Sequence, residues 1–210
     1  MDPLSQATIG AAAAQAVAKP ERFLMASCVG GVSGLLPDVD VLIRSSDDPL
    51  LALEYHRHFT HSLAFVPVGG AIAAFLCAKL SRGRFGFRNA LLPATLGWAT
   101  HGLLDACTSY GTYLYWPFSN ERVAWHIVSI VDPLFTVPLT LGVIWAMRRR
   151  AAKISRSFLS LALAYLGFGV FQLHRAEAAY AEVITDRDHT ASGMEVKPSL
   201  GNNFLFRAFY

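Results

Sequence analysis

Six long apolar runs constrain this chain more than any other feature of its sequence. Each run approaches the roughly 17–25 residues that an α-helix needs to cross the hydrocarbon core of a bilayer. Of the 210 residues, 53% are hydrophobic and only 16% are charged, which is unusual for a soluble domain. The sequence therefore predicts an all-α, polytopic membrane helical bundle of about five to six spans. The runs cover residues 4–18, 23–40, 62–79, 89–106, 132–147 and 157–173.

The positions of Lys and Arg predict the orientation of these spans, because short cytoplasmic loops retain basic residues. Basic residues cluster near residues 19–22, 79–88 and 148–156. If these clusters are cytoplasmic, eleven of the 18 Lys and Arg residues lie inside with one of the 15 acidic residues. Both termini then lie outside. We expect a membrane domain over 1–173 and an exported C-terminal segment over 174–210, either docked or part of an incomplete domain.

Other features of the composition exclude several classes of protein. The net charge of +3 is small and scattered, so a nucleic-acid partner is not expected. Cys28, Cys77 and Cys107 lack the short paired spacing of zinc or redox motifs, and we interpret them as small buried hydrophobic residues. The first residues lack a basic region and a cleavage site, so the first apolar run is expected to remain in the protein.

The His and Asp residues within or beside the apolar runs all fall at the predicted exported face. Ionisable side chains at membrane depth are costly, so each one indicates a function. The basic loops alone set the orientation, and the His and Asp positions agree with it independently. We therefore predict that these residues gather at one face of the membrane as a metal site. They are Asp38, Asp40, His56, His61, His101, Asp105 and Asp132.

The spacing of two pairs is typical of metal ligands. His101 and Asp105 are four residues apart, which places them on one face of a helix as paired ligands, or as a ligand and its orienting group. An intrahelical hydrogen bond that hides both groups from lipid is the alternative. Asp38 and Asp40 follow an apolar helix on alternate residues and suit a hard or borderline cation. They are equally typical of acids that mark the water interface.

Two further positions also have competing interpretations. The segment from Tyr55 to Ser62 contains three histidines just before a span, which favours an interfacial ligand cluster over a loop with incidental histidines. Asp132 precedes Pro133, and this pair is as typical of an ordinary helix start as of a site residue.

Five motifs occur in a fixed order along the chain. They are Leu36-Pro-Asp-Val-Asp40, His56-Arg-His-Phe-Thr-His-Ser62, His101-Gly-Leu-Leu-Asp105 followed by Thr108-Ser-Tyr-Gly111, Trp116-Pro-Phe118 and Asp132-Pro133. Together they resemble a family of bacterial inner-membrane proteins that are predicted to be membrane-bound, metal-dependent hydrolases. The resemblance spans most of the chain.

The resemblance implies that the metal or catalytic positions are Asp38, Asp40, His56, His61, His101 and Asp105, with Asp132 close by. Two positions depart from the family pattern. His58 stands where the motif usually has glycine, and Gln6 stands where the opening motif has histidine. His58 is therefore a candidate to replace a ligand at position 6.

We expect a hydrolase of the bacterial inner (cytoplasmic) membrane whose site faces the periplasm or exterior. Zinc is the first choice of divalent metal, and manganese and iron are alternatives. Asp38, Asp105 and Asp132 are the predicted catalytic carboxylates. A lipid or lipid-linked phosphoester or ester is the expected substrate, because the site lies at the membrane surface. The alternatives are a non-enzymatic metal-binding or transport protein and a purely structural membrane protein.

Overall fold

A computed structural model describes residues 1–48, 50–82, 84–190 and 193–210. This part of the chain is mostly helical, and each of the six predicted apolar runs largely coincides with one long helix. A short helix and several 3₁₀ turns lie between them. The helices are α1 (Pro3–Val17), α2 (Phe23–Ser33), α3 (Leu51–Tyr55), α4 (Val66–Leu80), α5 (Phe87–Ala106), α6 (Pro133–Arg149) and α7 (Ala152–Asp186).

Two of the long helices begin at an Asp-Pro pair. The Oδ1 atom of Asp2 accepts a hydrogen bond from the backbone N–H of Ser5 at 3.0 Å and caps α1. The Oδ1 atom of Asp132 likewise accepts the backbone N–H groups of Leu134 and Phe135 at 3.1 and 3.3 Å and caps α6. Proline at the next position loses no hydrogen bond, because the first amides of a helix have no partner within it.

Helices α1, α2 and α5 form the centre of the bundle through close backbone contacts. A Cβ atom on Gly10 would lie 2.5 Å from the carbonyl oxygen of Gly30, and one on Gly97 would lie 2.2 Å from the same oxygen. No larger side chain fits at these positions, and small residues of this kind let membrane helices approach closely. Helix α1 therefore lies inside the bundle, with α2 and α5 on one side and α6 and α7 on the other.

Three segments are long and apolar enough, by length and composition, to cross a membrane: Pro20–Leu42, Leu63–Leu80 and Ala152–Asp186. Helices α1 and α6 have 15 and 17 residues, fewer than the roughly 20 that usually span a bilayer. Helix α5 has 20 residues but carries His101 and Asp105 near its end. The predicted membrane helical fold is thus confirmed as a mostly helical chain with three candidate spans.

The C-terminal segment forms a hairpin that the all-α prediction missed. Strands β1 (Glu195–Pro198) and β2 (Phe206–Phe209) pair in antiparallel fashion. Val196 and Phe206 are buried, and the hydroxyl of Tyr180 in α7 donates to the carbonyl oxygen of Phe206 at 2.8 Å. The segment is therefore docked on the helices. Strands of four residues, one with proline, are too short for alternation of apolar and polar residues to indicate them.

Candidate metal centre

Three separate elements bring four of the predicted site residues together. Asp38 lies in the 3₁₀ segment Leu36–Leu42 that follows α2, and His61 ends the 3₁₀ turn before α4. His101 and Asp105 lie on one face of α5, one turn apart. Each of the four side chains offers a ligand atom, and these atoms all lie within 4.8 Å of one another. We call these four residues the His/Asp cluster.

The turn that carries His61 can approach α5 because Gly102 has no side chain. A Cβ atom at Gly102 would lie 2.1 Å from the carbonyl oxygen of His61. One helical turn earlier, the indole Nε1 of Trp98 donates to the carbonyl oxygen of Thr60 at 2.9 Å. These two contacts fix the turn against the helix and hold the His61 ring beside His101.

Most of the distances within the cluster are close to the edges of a metal coordination tetrahedron, and the contact between the two histidines is shorter. Metal–ligand bonds of about 2.0–2.2 Å in tetrahedral geometry place ligand atoms about 3.3–3.6 Å apart. The Nε2 atoms of His61 and His101 are 2.9 Å apart, and each lies 3.4 Å from Oδ1 of Asp38. The same nitrogens lie 3.4 and 3.7 Å from Oδ2 of Asp105. At 3.7 Å, His101 and Asp105 do not form the intrahelical hydrogen bond that was the alternative interpretation.

The hydrogen bonding of the cluster also fits a cation. Oδ1 of Asp38 and Oδ2 of Asp105 are buried and have no hydrogen-bond donor among the described residues. The other carboxylate oxygen of Asp105 contacts the Met1 amino group and accepts from the Gln6 amide at 2.8 Å. Nδ1 of His101 lies 2.6 Å from the carbonyl oxygen of Gly34, so Nε2 faces the cluster. Buried carboxylate oxygens without donors are costly unless a cation balances them.

Asp40 is buried beside the cluster and contacts the ring of His61 in the cluster and that of His56 outside it. Its Oδ2 accepts the backbone N–H of Arg57 and the hydroxyl of Thr60, both at 2.8 Å, and lies 3.3 Å from Nδ1 of His61. Its Oδ1 lies 2.9 Å from Nδ1 of His56. A carboxylate on the far nitrogen of a ligating imidazole fixes the ring and raises its basicity. Asp38, Asp40 and His56 also form a second group of potential ligand atoms within 4.8 Å.

The carboxylates around His61 stabilise its protonated form. Burial disfavours a charged imidazole, but the nearby carboxylates of Asp105, Asp38 and Asp40 outweigh this effect and raise the pKa of His61 to about 10. A cation that binds there would replace this proton and meet the same carboxylates, since a ligating imidazole must be neutral.

Asp132 is placed outside both groups of potential ligands. Its Oδ1 caps α6, and its Oδ2 accepts the hydroxyl of Tyr165 at 2.8 Å. These hydrogen bonds account for a carboxylate that is fully buried. The catalytic role suggested for Asp132 by the sequence stays a prediction.

The two departures from the family motifs occupy different places. The Gln6 amide bonds directly to Asp105, so position 6 does lie against the cluster. The ring of His58 instead packs on Tyr113 and Trp116, with ring centroids 4.7 and 5.6 Å apart, and it belongs to neither group of potential ligands in the described residues. His58 is therefore not positioned to replace a ligand at position 6.

Arg57 is a site residue that the sequence analysis did not identify. Its Nε lies 3.4 Å from Oδ2 of Asp105, and its side chain is 12% exposed. Its Nη1 is buried without an acceptor among the described residues, and its guanidinium lies over the ring of Tyr110. The backbone has a φ of 65°, a left-handed conformation that is uncommon outside glycine, and Tyr113 N–H and Thr112 Oγ1 hold its carbonyl oxygen at 3.1 Å.

The fold and the cluster define a helical membrane protein with a buried set of His and Asp residues arranged as metal ligands. Residues 1–176 match the sequence model of the YdjM inner membrane protein family, and the chain belongs to this family. The resemblance to predicted membrane metal-dependent hydrolases is thereby confirmed, because that is how this family is described.

Among curated proteins, the chain is similar to inner membrane protein YbcI of Escherichia coli (strain K12). The two are 33% identical over 119 residues, which cover 53% of this chain and 64% of YbcI. The chain thus covers less than two thirds of that relative. No solved structure matches the chain.

Proposed function

We propose that this protein is a membrane-bound, metal-dependent hydrolase. The supporting observation is the His/Asp cluster, in which two imidazole nitrogens and two carboxylate oxygens face one point. Zinc is the first choice, because it accepts mixed nitrogen and oxygen ligands, and manganese and iron are alternatives. A divalent ion held there supplies Lewis-acid chemistry, since it lowers the pKa of water and polarises an ester oxygen.

The proposal gives the four side chains different roles, because their exposure differs. The side chain of Asp38 is 34% exposed, whereas those of His61, His101 and Asp105 are inaccessible to solvent. The three buried groups would hold the ion, and the Gln6 amide donates to the carboxylate of Asp105. The Asp38 carboxylate borders the open side, where it accepts a proton from an attacking water and returns it to the leaving group.

A second ion is compatible with the neighbouring ligand group, and Asp38 would then be a shared ligand instead of the proton acceptor. Asp38 belongs to both groups, and Asp40 and His56 complete the second one. The His56 side chain is 36% exposed, so this group lies nearer to solvent than the His/Asp cluster. Pairs of metal ions that share a carboxylate are suited to hydrolysis of phosphate esters, because they stabilise both the attacking and the leaving oxygen.

The topology that accompanies this proposal has the His/Asp cluster at the periplasmic or exterior face of the inner membrane. The basic connection between α4 and α5 is at the opposite ends of these helices from the cluster. Helix α5 has 20 residues and is therefore about 30 Å long. This separation is comparable to the thickness of the hydrocarbon core, so basic residues inside and the cluster outside are mutually consistent. We extend the proposal to about five to six spans.

The proposed substrate is a lipid or lipid-linked phosphoester or ester. The cluster lies where apolar helices end, so its open side meets the membrane surface. Arg57 favours a phosphoester, because its buried guanidinium, whose Nη1 has no acceptor among the described residues, offers the donors that phosphate oxygens accept.

Metal analysis of purified protein in detergent tests the proposal. We expect wild type to retain a divalent ion, and His61→Ala and His101→Ala to lose it while remaining folded. His189→Ala is the matched control, because His189 is exposed near the hairpin and, among the described residues, its ring forms a hydrogen bond only with Tyr210. Unchanged metal content in both cluster variants would exclude the site.

Screening lipid extracts for release of phosphate or acyl groups then separates an enzyme from the alternative, a metal-binding or transport protein. A hydrolase loses product release in His101→Ala and keeps it in His189→Ala. A protein that binds the metal at His101 but releases no product from any lipid class supports the alternative.

A further inference from the structure

A groove lies between the C-terminal hairpin and the two ends of the connection from α5 to α6. Its volume is about 610 Å³. Two of its residues follow Asp105 of the His/Asp cluster by four and five positions, so the groove lies at the same end of the bundle. We call it the hairpin groove. Its lining includes Ser109, Tyr110, Ser129, Lys197, Leu200 and Arg207.

Two cations face each other across the hairpin at this groove. Lys197 in β1 is the direct cross-strand partner of Arg207 in β2. Like charges directly opposite one another destabilise a strand pair. Glu195 balances Lys197 through an ion pair of 2.8 Å, but Arg207 has no ion pair within the described part of the chain. An anion bound between the strands would remove this repulsion.

The tip of the hairpin places the groove at the membrane surface. The ring of Phe204 packs on Phe168 of α7, with centroids 5.7 Å apart, and Phe168 lies in the candidate span Ala152–Asp186. Leu200, Phe204 and Leu205 are all more than 60% exposed. Exposed apolar side chains beside basic residues are typical of segments that dip into the interface and contact anionic headgroups.

We propose that the hairpin groove binds the phosphate of an anionic membrane lipid. Arg207 offers a planar fork of donors that matches phosphate oxygens, and Lys197 adds a second positive charge. The hydroxyl of Ser109 is a further donor in the lining, and Leu200 provides an apolar surface for the start of the acyl chains. This binding site goes beyond the proposed hydrolysis and does not require a metal ion.

The groove is connected to the candidate metal centre through one wall. The ring of Tyr110 lines the groove and also contacts the guanidinium of Arg57, 5.5 Å from the ring centroid. Arg57 in turn lies 3.4 Å from Asp105. A lipid held in the groove therefore lies beside the cluster without touching its ligands.

Calorimetric titration of the detergent-solubilised full chain tests this proposal with three probes. They are dihexanoyl phosphatidylglycerol, dihexanoylglycerol without phosphate, and inorganic phosphate. We expect wild type to bind the phospholipid more tightly than either other probe. Arg207→Gln should weaken phospholipid binding about tenfold or more, as expected for loss of a charge-assisted hydrogen bond, and Arg207→Lys should restore part of it.

Arg187→Gln is the control for charge, because Arg187 is an exposed residue that follows α7 and does not line the groove. It should bind the phospholipid like wild type. Equal binding of inorganic phosphate and phospholipid would overturn the lipid assignment. Unchanged binding in Arg207→Gln, or an equal loss in Arg187→Gln, would overturn the site, whatever the metal content of the protein.

Discussion

The Nε2 atoms of His61 and His101 lie 2.9 Å apart, although 40 residues separate them in the chain. The two rings meet nearly edge to face, at an interplanar angle of 74°. Each ring is held from its other nitrogen, His101 by the Gly34 carbonyl and His61 by the hydroxyl of Thr60 at 3.0 Å. Both Nε2 atoms thus face one point before any ion binds, which lowers the entropic cost of binding it once the proton of His61 has been displaced.

Asp40→Asn should weaken metal binding without abolishing it. Asp40 orients His61 through Nδ1, and loss of such a partner costs about 10–100-fold in metal affinity. Competition titration with a chromophoric chelator measures the change. Asp47→Asn, in an exposed loop, should bind as tightly as wild type. Complete loss of metal in Asp40→Asn would instead show that Asp40 is itself a ligand.

Metal affinity should increase with pH. The carboxylates raise the pKa of His61 to about 10 in the metal-free protein, so near neutral pH the site contains a proton that the ion must displace. Affinity is therefore lowest in acid and rises as this proton is lost. Calorimetry in buffers with different ionisation enthalpies should detect about one proton released per ion between about pH 6 and pH 8. Binding without proton release would contradict a protonated His61.

Arg57→Gln should reduce hydrolysis of phosphate esters while leaving the metal in place. Nε of Arg57 faces Asp105, and its Nη1 has no acceptor in the part of the chain that the structure describes. Removing one donor to a developing negative charge typically costs about 10²–10³ in turnover. Arg57→Lys keeps the charge but loses the fork, so an intermediate rate is expected. Affinity of the metal-loaded protein for inorganic phosphate provides a second measurement. If turnover and phosphate affinity both match wild type, Arg57 is only a structural counter-ion for Asp105.

Much of the site could be predicted because its residues lie at or near the ends of the apolar helices. The spacing of His101 and Asp105 requires one helix face, and the positions of Lys and Arg indicate a common membrane face. The difference between Asp38 and Asp40 could not be predicted. They are two residues apart in the same motif. Asp38 points an oxygen without a donor among the described residues at His61 and His101, whereas hydrogen bonds occupy both oxygens of Asp40.

Features that depend on tertiary contacts left no periodic signal. Arg57 is one basic residue in a polar connection, and only its left-handed backbone and the contact with Asp105 reveal its place in the site. The central position of α1 follows from the contact of Gly10 with Gly30, which an alanine-rich run does not indicate. The hairpin depends on burial of Val196 and Phe206 against α7, and a tertiary contact of this kind leaves no pattern in two strands of four residues.

Substitutions at Asp132 should separate its capping role from the predicted catalytic one. Asp132→Ala removes the cap of α6 and the partner of the Tyr165 hydroxyl, so the free energy of unfolding should fall by about 1–2 kcal/mol. Asp132→Asn retains an oxygen that can accept the amides of Leu134 and Phe135, and asparagine is as good a cap as aspartate. Its stability should therefore stay near that of wild type.

Because Asp132→Asn loses the negative charge but keeps the cap, its activity distinguishes the two roles. The hydrogen bonds of Asp132 are all structural, so we expect normal metal content and normal turnover in this variant. Thermal unfolding in detergent, metal analysis and product release on the same preparations measure the three properties together. A stable, metal-loaded Asp132→Asn protein with greatly reduced turnover would assign a catalytic role to Asp132, since lost capping could not explain it.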